Sequence, residues 1–229
     1  MKVRIRLFAG LREQAGYGNR VVELPARAHV SDVWATLALG DEPAGLLYAR
    51  NKEYVEQDVE LAEGDEVALI PPVSGGAPSA ADAGAGAPAP VLGPFLLTSE
   101  PIDVGEVIAA ASDDEAGAVA VFLGTVRRRS RGRTVLHLEY EGYDGMAEQL
   151  MAEIAADLAA RRGLTRAAMT HRLGRVEIGE PSIVIAVSSP HRADALAACQ
   201  EAIDLLKDTV PLWKKEFYEG GEQWIGKGS

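Results

Sequence analysis

The seventeen arginines and six lysines of this 229-residue chain are unevenly placed: beyond residue 95 every lysine falls after residue 206. Where a solvated positive charge suffices, the chain mostly uses arginine. Lys207 and Lys214 therefore stand out as amines, groups whose pKa falls when they are desolvated or set beside other cations and which then serve as base or nucleophile. Lys207 also reads as a helix C-terminal charge that complements the macrodipole. Ser188-Ser189-Pro190-His191-Arg192 joins an apolar run to a helical pattern. Ser189 can cap that helix and Pro190 suits its first turn, while the free N–H groups, His191 and Arg192 make a phosphate or oxyanion site. A purely structural cap has the same sequence. Arg127 directly follows Phe122-Leu-Gly-Thr-Val126, a strand end from which it can point into a cleft.

Other candidates weaken on inspection. The run Arg127 to Arg133 suggests nucleic acid, but it has no interleaved aromatics and lies in a chain of net charge -11, so it is expected to be a mobile loop. Cys199 is in step with Ala195, Leu196, Ala202 and Ile203 on one helical face, which assigns it to core packing. A lone cysteine rules out an intramolecular disulfide and fits a reducing compartment. His29, His137 and His171 lack metal-ligand spacing, and nucleotide-binding glycine loops are absent. Met1 to Phe8 alternates charged with apolar residues, unlike a signal peptide, and no run approaches transmembrane length, so the cytoplasm is the expected compartment.

The elements that must position these groups fall into two modules. In the first, Val3, Ile5 and Leu7 alternate with Lys2, Arg4 and Arg6 as a half-buried strand. A loop through Gly16 and Gly18 leads to a second strand, Val21 to Leu24. Ser31 is the expected N-cap of a helix through Leu39, stopped by Gly40. Leu46 to Arg50 and Glu53 to Val55 form a hairpin around Asn51-Lys52, and Gly64-Asp65 turns the chain into a last strand, Glu66 to Ile70. Pro71-Pro72-Val73-Ser74-Gly75-Gly76 closes this β-grasp arrangement. Residues 77 to 94 are rich in alanine, proline and glycine and have little to bury, so they read as a flexible linker.

The second module spans residues 95 to 229. It opens on a strand, Phe95 to Thr98, followed by a helix, Ile102 to Ala111, that starts near Asp103. Ala118 to Leu123 reads as a buried strand with Val135 to Tyr140 as its neighbour. A long helix, Met146 to Arg162, precedes strands near Ala167 to Arg172 and at Ile183 to Ser188, and Arg192 to Lys207 is helical. Pro211 disfavours helix at Val210, so Lys207 ends a helix and Lys214 lies on the extended stretch beyond. The order βαββαββα predicts an α+β fold with helices covering a mixed sheet.

Two signatures in one chain then carry a resemblance. Val3-Arg-Ile-Arg-Leu-Phe-Ala9 and Gly64-Asp-Glu-Val-Ala-Leu-Ile-Pro-Pro-Val-Ser-Gly-Gly76 resemble the small, sulfur-carrier subunit of molybdopterin synthase, a ubiquitin-like β-grasp protein. Phe122-Leu-Gly-Thr-Val-Arg127, Glu139-Tyr-Glu-Gly-Tyr143, His171-Arg-Leu-Gly174, Ser189-Pro-His-Arg192 and Leu206-Lys-Asp-Thr-Val-Pro-Leu-Trp-Lys-Lys-Glu216 resemble its large, catalytic subunit, an α/β-hammerhead dimer.

The resemblance implies transfer of two sulfurs from a C-terminal thiocarboxylate to cyclic pyranopterin monophosphate, forming the molybdopterin dithiolene. It implies as partners a ubiquitin-activating-like adenylyltransferase, a sulfur donor and a second copy of the catalytic domain, and it calls for neither a cofactor nor a metal. Nucleic acid and membrane are not expected partners. Carried over, Arg127, His191, Arg192, Lys207 and Lys214 match the pocket, Phe122 lines it, and Lys227 is the nearest match to a basic residue that a neighbouring subunit lends. Lys207 is the expected essential group, with Lys214 assisting. Gly76 would bear the sulfur, yet its carbonyl is an amide bonded to Ala77, so cleavage between them is expected. The alternative is a ubiquitin-like carrier or modifier for another pathway, with a docking domain and no pterin chemistry.

Overall fold

The computed structural model describes residues 1–72 and 92–225. Gly76, Lys227 and the greater part of the expected linker lie outside the described residues. The chain divides into two compact units, Met1–Val73 and Ser74–Ser229.

The first unit is one five-stranded sheet with two short helices. Strands β1 (Lys2–Leu7), β2 (Asn19–Glu23), β3 (Leu47–Arg50), β4 (Glu53–Val55) and β5 (Glu66–Ile70) lie in the order β2-β1-β5-β3-β4. The central β1 and β5 run parallel, and the other pairings are antiparallel. Alternation in β1 sends Val3, Ile5 and Leu7 into a core shared with Trp34, Val67 and Leu69. The expected hairpin forms around Asn51 and Lys52, both at positive φ, as a two-residue turn that matches strand twist requires.

Three expectations fail in this unit. The segment after β1 is not only loop: α1 (Ala9–Ala15) forms there and stops at Gly16, whose left-handed φ of 77° closes it. Ser31 is not an N-cap, because its own backbone is helical and its hydroxyl makes no cap bond; the Asp32 carboxylate instead accepts the His29 N–H at 2.8 Å. Helix α2 covers only Asp32–Ala35. The chain leaves it at Ala38 (φ 54°), and the Trp34 indole N–H donates to the Gly40 carbonyl at 2.9 Å.

The second unit has two sheets. The first, in the order β6-β10-β12-β7, holds β6 (Phe95–Thr98), β7 (Ala118–Thr125), β10 (Arg166–Arg172) and β12 (Pro181–Ser189). Helices α4 (Met146–Arg162) and α5 (Arg192–Thr209) share a core with one face of it, built from Met151, Leu158, Met169, Ile185 and Ala202. Helix α3 (Val104–Ala111), which starts at Asp103 as expected and is capped by its carboxylate, packs on Ala168, Val184 and Ala186 of the other face. The second sheet comprises β9 (Arg133–Gly142), β11 (Gly174–Glu177), β13 (Leu212–Tyr218) and β14 (Gly221–Ile225) in the order β11-β9-β13-β14, with β8 (Arg129–Ser130) on β9.

This arrangement corrects several expectations. Val135 to Tyr140 is not the neighbour of Ala118 to Leu123, since β9 pairs with β8, β11 and β13 in the other sheet. Strand β7 is an edge strand, buried on one face only: Val119, Val121 and Leu123 are exposed. The segment Arg127 to Arg133 is no simple loop, because β8 and the start of β9 form a hairpin. Cys199 is buried as expected and its thiol is pushed up to about 11 by burial, whereas Leu196 points to solvent. Ser189 is the last residue of β12 and no cap; α5 starts at Arg192, with His191 at its N-cap position making no side-chain cap bond. Strands β11, β13 and β14 were not expected as strands.

Candidate active site

One cavity of about 410 Å³ opens where the end of β7, the end of α5 and the start of β13 meet. Phe122, Gly124, Thr125 and Arg127 reach it from β7 and the residues just beyond. Val126 is buried and holds the chain there: its N–H donates to the Glu180 carbonyl at 3.1 Å and its carbonyl accepts from Gly179 N–H at 2.7 Å. Gly124 leaves room where none is spare, because a Cβ there would lie 2.7 Å from Ile183 Cγ2 and 3.2 Å from Phe122 Cε1.

Lys207 sits in the last turn of α5. The helix ends at Thr209, Val210 is extended, and Pro211 leads into β13, as the proline rule requires. Strand β13 then runs back along β9, placing Lys214 opposite Tyr140. Leu212 and Lys214 both line the cavity, as the two-residue period of a strand dictates, and Glu216 is the next residue on that side. Pairing of β13 with β9 thus brings Lys214 back beside the helix end that carries Lys207.

The amines differ in environment. Lys207 is exposed, whereas Lys214 is half-buried. Burial lowers the Lys214 pKa, and the charges of Lys207, Arg127 and Arg131 lower it further, while Glu216 opposes them. Of the two amines set apart in the sequence, Lys214 is the one that burial desolvates. Glu216 is itself buried and accepts the Ser130 hydroxyl at 3.0 Å.

Three neutral groups complete the walls: His171, Tyr140 and Ser182. His171 Nδ1 lies 2.8 Å from the Arg172 carbonyl, so its proton sits there and Nε2 is left as an acceptor. Burial pushes this imidazole down to about 4, so it stays neutral near pH 7. Tyr140 meets it edge-on at 4.8 Å between ring centroids, and burial raises the phenol pKa. Sequence reasoning assigned no role to these residues, although His171 and Tyr140 fall inside two of the matched motifs.

Phe122, Arg127, Lys207 and Lys214 thus converge as expected, but His191 and Arg192 do not join them. Both are exposed, do not line the cavity, and belong to the N-terminal end of the helix whose last turn carries Lys207. Some fifteen residues of helix separate Arg192 from Lys207, about 22 Å at ~1.5 Å per residue. Among the described residues, no group of three or more His, Cys, Asp or Glu could hold a metal ion, and no helix is long and apolar enough to cross a membrane.

The chain thus joins a β-grasp unit to an α+β unit whose cavity collects cations around a half-buried amine. The family model described as MoaE protein matches residues 97–209, and that of the ThiS family matches residues 5–76. The chain is 47% identical over 132 residues to the molybdopterin synthase catalytic subunit of Bacillus subtilis, covering 58% of this chain and 84% of that one. It is 41% identical over 130 residues to catalytic subunit 1 of Mycobacterium tuberculosis, covering 57% and 88%. The crystal structure of molybdopterin synthase from Staphylococcus aureus aligns with a TM-score of 0.56 at 39% identity, covering 58% of this chain and 96% of that one. The chain belongs to the molybdopterin synthase catalytic-subunit family and carries a ThiS-type sulfur-carrier domain ahead of it. It is an enzyme of molybdenum cofactor biosynthesis, and its chemistry is sulfur transfer.

Proposed function

We propose that the 410 Å³ cavity is where two sulfurs pass in turn, one from each of two Gly76 thiocarboxylates, to cyclic pyranopterin monophosphate, building the dithiolene of molybdopterin and leaving each carrier with a carboxylate. The observation that carries this reading is the convergence of Arg127, Lys207 and Lys214 on one cavity from three separate elements. Guanidinium and ammonium groups suit a substrate phosphate and the anionic end of a carrier tail. Lys207, at the exposed end of α5, provides charge for the tail. Lys214 is the amine better suited to move a proton or attack the acyl carbon, because burial and the neighbouring cations lower its pKa. Phe122 supplies an apolar wall for the pterin. The sulfur travels on the protein itself, with no resident cofactor or metal. Gly76 becomes a usable terminus after cleavage before Ala77 by a protease, followed by activation by a ubiquitin-activating-like adenylyltransferase and a sulfur donor, in the cytoplasm.

His191 and Arg192 enter from a second copy in this reading. Among the described residues strand β7 has a free edge, and it exposes Val119, Val121 and Leu123, a combination that favours pairing with another strand. Ala118 lies opposite Ser189, two residues before His191, whereas the other end of β7 lines the cavity. Antiparallel pairing of two β7 edges about a two-fold axis puts the Ala118 end of one copy against the Thr125 end of the other. The homodimer would then deliver His191 and Arg192 to the partner's cavity mouth, and Lys227 is a further candidate for the same exchange.

The test supplies thiocarboxylated carrier and pterin substrate to wild type, to Lys207→Ala, to Arg192→Ala and to mixed dimers of the two variants. Each variant alone is expected to fold, dimerise and lose dithiolene formation, and mixing restores it in part because one intact composite cavity forms per heterodimer. Near-normal turnover by Lys207→Ala sinks the assignment, and absence of rescue sinks the shared site.

A further inference from the structure

The arginine hairpin is the strongest charged feature that the reaction does not absorb. In a chain of net charge -11, Arg127, Arg128, Arg129 and Arg131 are all exposed, and none has a carboxylate partner among the described residues. The arginines of α4, β10 and β11 behave differently: Arg161, Arg162, Arg166, Arg172 and Arg175 are each paired with a carboxylate. The charges of this hairpin are open to solvent and so available to an anion from elsewhere.

The hairpin is also built to hold its shape. Arg129 pairs with Thr134 and Ser130 with Arg133, so Arg131 and Gly132 form a two-residue turn with φ of 48° and 79°. Such a turn prefers asparagine or glycine at its first position, and an arginine held at positive φ points to a use for its side chain. Buried Ser130 donates to Glu216, which ties the hairpin to β13 two residues beyond Lys214. Arg131 lines a second cavity of about 230 Å³ beside Glu216, and its charge is felt at the Lys214 amine.

We infer that Arg128, Arg129 and Arg131 form an anion-capturing arm that draws a small phosphate ester to the cavity mouth and hands it to Arg127, Lys207 and Lys214. The inference rests on the reading of that cavity as the site of a pterin phosphate. A strip of one sign of charge beside a cleft raises the on-rate of an oppositely charged ligand by about 10- to 1000-fold, and salt removes the effect. A polynucleotide fits the arm less well, because residues 127–133 contain no aromatic platform and the chain as a whole is acidic.

The experiment uses the full chain as wild type, as Arg128→Gln/Arg129→Gln and as Arg131→Asn, the last keeping a side chain suited to positive φ. With thiocarboxylated carrier supplied at a fixed saturating level, steady-state kinetics with the pterin phosphate are followed from about 20 to about 500 mM salt, a range that spans strong to weak screening. Expected is a roughly tenfold loss of kcat/KM for the double variant at low salt, with kcat at saturation unmoved and the gap closing at high salt. Arg131→Asn should show the same salt-dependent loss. Wild-type kcat/KM with a wild-type salt slope in both variants overturns the inference while leaving the function intact. Unchanged pterin kinetics with lost binding of a labelled RNA oligomer also overturns it. A wild-type chain that neither binds nor converts the pterin phosphate overturns the function and the inference together.

Discussion

Replacing Gly124 by alanine tests the cavity wall with one methyl group. The added Cβ would stand 2.7 Å from Ile183 Cγ2 and 3.2 Å from Phe122 Cε1, where ordinary contact begins near 3.4 Å. The Ile183 methyl sits on a β-branched carbon with little freedom, so it must retreat by more than half an ångström or β7 must move. Overpacking of this kind costs about 1–3 kcal/mol. For a unit of this size that lowers Tm by roughly 3–10 °C. Because both neighbours line the cavity and Arg127 follows on the same strand, a displacement approaching 1 Å should also lower kcat/KM by about 10- to 100-fold. Differential scanning calorimetry and dithiolene formation from supplied thiocarboxylate measure the two effects. A Gly124→Ala chain with wild-type Tm and turnover would refute the close packing of Phe122 and Ile183 around this glycine, and with it the account of how Arg127 is aimed.

The other predictions concern titration. If the neutral Lys214 amine does the work, kcat/KM rises with pH through its lowered pKa; Glu216 holds that pKa up, so Glu216→Gln should move the rising limb to lower pH. A limb that stays put or moves to higher pH counts against Lys214 as the titrating group, and Lys214→Met should abolish turnover in the same assay. His171 is neutral in the fold down to about pH 4, against an ordinary value of 6.5, so below pH 6.5 the unfolded chain takes up a proton that the folded one refuses. Stability is therefore lost as pH falls from 6.5 towards 4, by up to about 3 kcal/mol from this group. Urea unfolding at pH 7 and pH 4.5 should show a smaller difference in His171→Gln, and an equal difference in both chains would contradict the burial of this imidazole.

What was legible in the sequence was local. Alternation in β1 places one side of a strand in a core, the Asn51-Lys52 turn names its own hairpin, and Pro211 separates the helix of Lys207 from the extended stretch of Lys214. Convergence was not legible, because it depends on β13 pairing with β9, some seventy residues earlier in the chain. Strand β13 hid for a related reason: Leu212-Trp-Lys-Lys-Glu-Phe-Tyr218 shows no alternation. Lys215 is buried under Phe217 and Trp224, paired with Glu222, and Glu216 is buried on the opposite side, so charged residues occupy positions a strand pattern reserves for apolar ones. His171 gave no signal, since a satisfied core histidine and a cavity acceptor have the same spacing. The case of His191 and Arg192 is different. The helix from Arg192 to Lys207 was readable, and its length alone already kept those residues away from Lys207 within one chain.

The central claim is that sulfur leaves Gly76 for the pterin in the cationic cavity. Intact mass spectrometry of the protein isolated from its own cells, before and after incubation with cyclic pyranopterin monophosphate, tests it most directly. The account predicts a fragment ending at Gly76 with one sulfur in place of a carboxylate oxygen, and loss of that sulfur in step with dithiolene formation. An active preparation in which every chain is full length, or a Gly76 fragment that keeps its sulfur while product accumulates, would contradict it.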